Sequence, residues 1–230
     1  MEQRPGILAI WNDRDDEIDG FYEQWYVHQH LLERVALPGW RFGRRYERLG
    51  DAATGPRFFT YYEMDSVDAM YSDAYLARLN DPTPETERVM RHWRNMTRTS
   101  CALWERRGDF TGACVVVARF DAAAQTRQLL ALADAALRKG HRDGPFGEAD
   151  VLATQVWVNE TPRTPDSTES GMRGEPDRQI DAAVVLDCLR VGDAERNADW
   201  LATACREAGL TPLGLGAYAF LCEYRPPADR

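Results

Sequence analysis

The sequence predicts an α+β fold: two ferredoxin-like βαββαβ repeats, residues 1–111 and 112–230, packed sheet to sheet as one internal barrel. Three observations lead there. Strand and helix patterns recur in the same order in both halves, and 230 residues divide into two units of roughly 110, each able to bury a core. A four-stranded antiparallel sheet with both helices on one face leaves its other face bare, and a second such sheet covers it.

Ile7–Asn12 is a short apolar run suited to a buried strand, and Asp13–Asp19 is an acidic helix start. From Ile18 the apolar positions Phe21, Trp25, Leu32 and Val35 follow helical spacing, and that helix must stop before Pro38. Trp40–Arg48 and Arg57–Met64 alternate as a hairpin across the turn-rich segment Gly50–Pro56. Ser66 is an N-cap for a second helix, which Asp81–Pro84 interrupts and Thr86–Thr99 resumes. Cys101–Arg106 is a fourth strand. The second half repeats the order with strand Ala113–Phe120, helix Ala122–Lys139, strands Asp150–Asn159 and Gln179–Leu189, helix Asp193–Ala208 and strand Gly214–Tyr224. Residues 160–178, rich in Pro, Thr, Ser and Gly, read as a flexible hairpin loop.

Composition narrows the function. No apolar run approaches the roughly 20 residues needed to cross a bilayer, and no signal-peptide apolar region follows Met1, so the cytoplasm is the expected location. A net charge of −9, from 28 basic and 37 acidic residues, argues against nucleic acid and anionic lipid as partners. The cysteines Cys101, Cys114, Cys188, Cys205 and Cys222 are odd in number and widely spaced, and read as small buried side chains in a reducing compartment. No metal-ligand spacing, phosphate loop or nucleophile elbow is present.

Three of the four histidines, His28, His30 and His92, lie in the first repeat; His141 sits in a polar loop of the second. His92 belongs to the basic stretch Arg91–Arg94, a solvated face. On an unbroken helix His28 continues the stripe of Trp25 and Leu32, while His30 falls about 200° further round. An imidazole is suited to move a proton near neutral pH, and a guanidinium such as Arg45 or Arg44 holds a developing enolate or phenolate oxygen. Trp11, Trp25, Tyr26, Trp40, Tyr46, Tyr62 and Trp104 offer aromatic surface for a flat substrate. The plainer reading is that these aromatics are core, the buried histidine a satisfied polar group, and Arg44 and Arg45 partners of Glu47 or Glu63 across the hairpin.

The string Trp25-Tyr26-Val27-His28-Gln29-His30-Leu31-Leu32-Glu33-Arg34, then Pro38-Gly39-Trp40 and Arg44-Arg45-Tyr46, resembles the EthD-like branch of the dimeric α+β barrel superfamily, as does Ala74–Leu79 with Pro82, Thr83 and Thr86. The resemblance covers about residues 5–110 and is only topological beyond. It implies that His30 is the family histidine, with Glu33, Arg34, Pro38 and Gly39 in matching places. Leu32 stands where many relatives have proline, which leaves His28 open as the inward residue. The superfamily is similar in architecture to cofactor-free monooxygenases, polyketide cyclases, muconolactone isomerase and haem-using chlorite dismutases. Its haem enzymes place their histidine late in the chain, where nothing here matches, so no cofactor is expected and haem is disfavoured. Three functions stay open: a cofactor-independent enzyme moving a proton on a small aromatic or hydrophobic carbonyl compound, in isomerase, lyase or cyclase chemistry; a non-catalytic binding or accessory protein of a catabolic pathway; and a cofactor-free monooxygenase. A homodimer is the base-rate expectation for assembly.

Overall fold

The computed structural model describes residues 3–51, 55–121, 126–139, 150–159, 167–174 and 176–227. Eight strands, β1 (Gly6–Arg14), β2 (Trp40–Arg48), β3 (Phe58–Met64), β4 (Trp93–Arg107), β5 (Cys114–Phe120), β6 (Val151–Val158), β7 (Ala182–Cys188) and β8 (Gly214–Tyr224), close one antiparallel barrel in the order β1-β3-β2-β8-β5-β7-β6-β4. Each half sets its own strands in the order fourth, first, third, second. The halves are joined edge to edge as well as face to face: β2 pairs with β8 from Gly43↔Tyr224 to Arg48↔Tyr218, and β4 pairs with β6 from Ala102↔Val158 to Arg107↔Thr154. These two seams leave no unpaired sheet edge in the barrel.

Alternation along the strands sorts side chains into two layers. Ile7, Ala9 and Trp11 of β1 and Val115 and Val117 of β5 point into the barrel, where Tyr46, Phe59, Tyr61, Trp157 and Tyr218 fill it. Leu8 and Ile10 point outward under the first-half helices, as Val116 and Ala118 do under the second. The covering helices are α1 (Asp19–Trp25), α2 (Leu31–Val35), α3 (Asp73–Asn80) and α4 (Pro84–Met90) on one side, and α5 (Thr126–Lys139) and α7 (Val191–Glu207) on the other. No helix among the described residues is long and apolar enough to cross a membrane.

Two expectations need correction. Trp93–Thr99 is strand, not helix: Trp93 and Arg94 pair with Arg14 and Asp13 beyond an irregularity in β1, and Asn95 turns the backbone through φ 53°. Tertiary pairing overrides the local helical pattern there. Pro84 opens α4 in its first turn, where its missing N–H costs nothing, and Thr83 caps that turn by accepting from Thr86 N–H. Within 160–178, residues Thr168–Met172 form a short helix, α6, whose capping box is built by Ser167 and Ser170; α6 packs on α3 and α4 of the first half. His141 lies outside the described residues.

Gly43 of β2 lets the first-half helices approach closely: a Cβ there would lie 2.6 Å from Leu31 Cδ1 and 2.7 Å from the Tyr62 ring. Gly43→Ala should therefore lower unfolding free energy in urea by about 1–3 kcal/mol. Gly20→Ala, on an open face of α1 with nothing within 4 Å, should instead raise it by up to about 1 kcal/mol.

Candidate functional site

Between α1 and α2 the helix widens into a π-turn over Tyr26–His30, in which Leu31 N–H reaches back five residues to the Tyr26 carbonyl. One extra residue per turn rotates everything downstream by about 100°. His30, Leu31 and Arg34 swing toward the sheet, and His28 swings out. His30 is 3% exposed, whereas His28 lies on the exposed face. The periodicity argument for His28 assumed an unbroken helix, and the π-turn removes that premise.

His30 stacks on Trp25 with ring centroids 4.2 Å apart and meets Tyr26 and Trp93 edge-on at 5.1 Å and 6.3 Å. Its Nδ1 is buried without a hydrogen-bond partner among the described residues. Burial first, then the positive charges of Arg34 and Arg45, hold the imidazole well below its ordinary pKa, so the ring is neutral at physiological pH. Around it Trp25 Nε1 donates to Thr86 Oγ1 at 3.2 Å, and the Tyr26 and Tyr62 hydroxyls share a hydrogen bond at 3.4 Å. The Arg45 guanidinium lies 3.8 Å from the Tyr26 ring centroid and pairs with Glu23 at 2.9 Å.

A chamber of about 20 Å³, the size of one water, opens beside His30. Its charged walls are Arg34, Arg98 and Arg173 against the single carboxylate of Glu169. Arg34 and Glu169 form a buried ion pair that fastens α6 over the chamber. Arg98 donates to the Tyr75 hydroxyl at 2.5 Å, and Arg173 grips Asp177 through two hydrogen bonds at 3.0 and 2.7 Å. Sequence reading missed these arginines as site residues because they come from β4 and from the segment after α6, distant in the chain and joined only by the fold.

The candidate residues therefore divide. Trp25, Tyr26, Trp40 and Tyr62 share the helix-side layer with His30, and Arg45 lies on that side of β2. Trp11 and Tyr46 face the barrel interior, and Arg44 bonds there to the Tyr61 hydroxyl at 2.7 Å and to Glu223, so it does not reach His30. Trp104 packs on the second-half core under the Arg4 guanidinium. Neither arginine pairs with Glu47 or Glu63, which bind Arg57, Arg41 and Arg106 instead. His92 sits at the turn before β4 with Nδ1 3.1 Å from an Asp15 carboxylate oxygen and 3.0 Å from one of Glu17, and Arg94 pairs with the same Asp15.

No family model and no curated protein sequence matches the chain. Solved structures do. An anthrone oxidase-like protein aligns over 99% of this chain and 95% of its own, with TM-score 0.66 and 9% identity. The chain shares that protein's fold, an α+β arrangement around a closed eight-stranded antiparallel barrel. A candidate monooxygenase from Fusobacterium nucleatum aligns over 98% and 96%, with TM-score 0.55 and 7% identity. A heme-binding protein from Thermus thermophilus aligns over 96% and 92%, with TM-score 0.54 and 10% identity. At these identities the likeness is one of fold.

The heme-binding neighbour corrects the expectation that haem is disfavoured: this barrel carries that cofactor in at least one protein of the same architecture. Neither His30 nor His92 fits a porphyrin in the present arrangement. His30 is wedged among Trp25, Tyr26 and Trp93 beside a space for one water, and His92 Nδ1 faces Asp15 and Glu17. A larger surface hollow of about 320 Å³ beside Trp93 offers only the thioethers of Met96 and Met172 as soft donors among its lining residues.

Removing one member of the Arg34–Glu169 pair leaves the other charge buried. Glu169→Ala should therefore destabilise the protein by about 3–5 kcal/mol in urea unfolding, and the double variant Arg34→Leu, Glu169→Leu should recover most of that loss.

Proposed function

We propose that this chain is a small-molecule enzyme of the oxidase and monooxygenase kind, acting on an enolisable or phenolic aromatic compound at the His30 chamber. The observation that carries the reading is the buried Nδ1 of His30, unpartnered among the described residues and set beside a chamber where three guanidiniums face one carboxylate. The names of the anthrone oxidase-like protein and the candidate monooxygenase support the substrate and reaction class by analogy of fold. The resemblance of residues 5–110 to EthD-like sequences supports His30 as the functional histidine. The common strand order of the two halves supports a tandem ferredoxin-like duplication, with the site built mainly on the first copy and completed by Glu169 and Arg173 of the second.

In this reading the neutral imidazole of His30 accepts a proton from the substrate, and the oxyanion that forms takes the Arg34 guanidinium in place of Glu169. The low proton affinity of His30 in the empty chamber rises once an anion lies beside it, because the imidazolium then has a counter-charge. If the proton returns to another atom of the anion, the outcome is isomerisation. If dioxygen instead adds to the carbanion, protonation gives a hydroperoxide that loses water to leave a carbonyl on that carbon, so one oxygen atom stays in the product and the other leaves as water. A one-ring substrate does not fit in 20 Å³, so binding displaces Glu169 and α6 with it.

That small volume favours a second reading, a non-catalytic accessory protein in which His30 is a packed core residue. Dioxygen uptake and product absorbance with a hydroxyanthrone separate the two. The enzyme reading expects wild-type turnover, unchanged in His28→Ala and reduced about 10²–10⁴-fold in His30→Ala. Full turnover by His30→Ala removes His30 as the base, and an inert wild type supports the accessory reading.

A further inference from the structure

One end of the barrel holds a chamber of about 160 Å³ that the His30 site does not use. Strands β2, β3, β4, β6 and β7 wall it, and Gly108–Thr111, the link between the halves, forms its rim. A cavity of about 150 Å³ is large enough for a benzene ring. Phe42 supplies an aromatic wall, and Phe110 stands on the rim 71% exposed, an unusual position for a large apolar side chain.

At the inner end lies Asp187, 1% exposed. Its carboxylate accepts the Gly112 N–H at 3.3 Å and a hydrogen bond from Gln155. No cation forms an ion pair with it among the described residues, because the nearby guanidiniums are engaged: Arg44 with Glu223, Arg106 with Glu63. An ionised carboxylate has roughly four acceptor sites, so capacity remains for a donor from a ligand. Burial, opposed by the Gly112 hydrogen bond and by Arg44 and Arg106, raises this carboxyl to about 6, which leaves it mostly ionised and accepting at neutral pH. At the mouth, Arg225 is half exposed, lies 4.2 Å from the Phe42 ring centroid, and among the described residues pairs with Glu223. An exposed pair of this kind exchanges its partner at little cost.

We propose that this chamber is a second binding site, for a one-ring hydroxyaryl carboxylate whose hydroxyl donates to Asp187, whose ring lies against Phe42 and Phe110, and whose carboxylate meets Arg225. Three guanidiniums, Arg44, Arg106 and Arg225, and three carboxylates, Glu63, Asp109 and Asp187, line the chamber, so an occupant carrying both a hydrogen-bond donor and an anionic group matches it. A donor to a buried carboxylate is the contact that discriminates, since a ligand without it covers the remaining acceptor sites of Asp187 and fills none of them.

Titration calorimetry of the full chain with 4-hydroxybenzoate as probe, and benzoate as the analogue lacking the hydroxyl, tests the site. The expected result is measurable binding of 4-hydroxybenzoate by the wild type, weaker binding of benzoate by about tenfold or more, and a similar loss in Asp187→Asn. Phe110→Ser, at the exposed rim, should weaken the probe several-fold and serves if Asp187→Asn does not fold. Equal affinity for the two probes, no binding heat with the wild type, or wild-type affinity in folded Asp187→Asn each overturns the proposal.

Discussion

Backbone pairing across the two seams, β2 with β8 and β4 with β6, is the constraint from which the remaining architecture follows. Each half would otherwise present two open strand edges and one bare apolar face. Closing both seams at once makes that face the inside of a barrel, and aromatics occupy it: Trp11 stacks on Phe59 at 4.9 Å, Tyr46 stacks on Phe59 at 5.5 Å, and Tyr61 lies tilted against Trp157 at 5.1 Å. A filled interior leaves two places for ligand space. One is the layer between sheet and helices, where His30 lies, and the other is the barrel end, where Asp187 lies.

In the helix layer, the π-turn at Tyr26–His30 decides which chemistry faces inward. It brings His30 onto Trp25 and turns Arg34 toward α6, so that a base and a guanidinium share one small chamber. The same burial that positions His30 strips it of solvent, and Arg34 and Arg45 add positive charge nearby. A histidine in that setting holds its proton-accepting form until a negative charge arrives beside it, which couples its basicity to substrate ionisation.

The strands were largely legible in the sequence because the apolar run Ile7–Asn12 and the alternation in Trp40–Arg48 and Arg57–Met64 survive tertiary packing. Trp93–Thr99 was not, since its strand conformation comes from pairing with β1 and not from its own pattern. The site was half legible. His30 and Arg34 lay in the string that resembles a known family, while spacing alone pointed to His28, because an inserted residue in a helix leaves no signature in apolar periodicity. Glu169 was illegible for a different reason: its partner Arg34 is 135 residues away, and only the return of α6 over the first half brings them together. The cofactor expectation failed because it rested on where a histidine falls along the chain, whereas a shared architecture with a heme-binding protein is a property of the whole barrel.

His30 is buried, and its imidazole is neutral. An unfolded chain accepts a proton below about pH 6.5 that folded His30 refuses, so this residue makes the fold less stable as pH falls through that range. Nitrogen-15 NMR of the imidazoles between pH 7.5 and 5 reads the state of His30 directly, with His30→Gln fixing the assignment. The His30 resonances are expected to keep their neutral-ring pattern throughout that range. A His30 midpoint at the ordinary imidazole value of about 6.5 would contradict it.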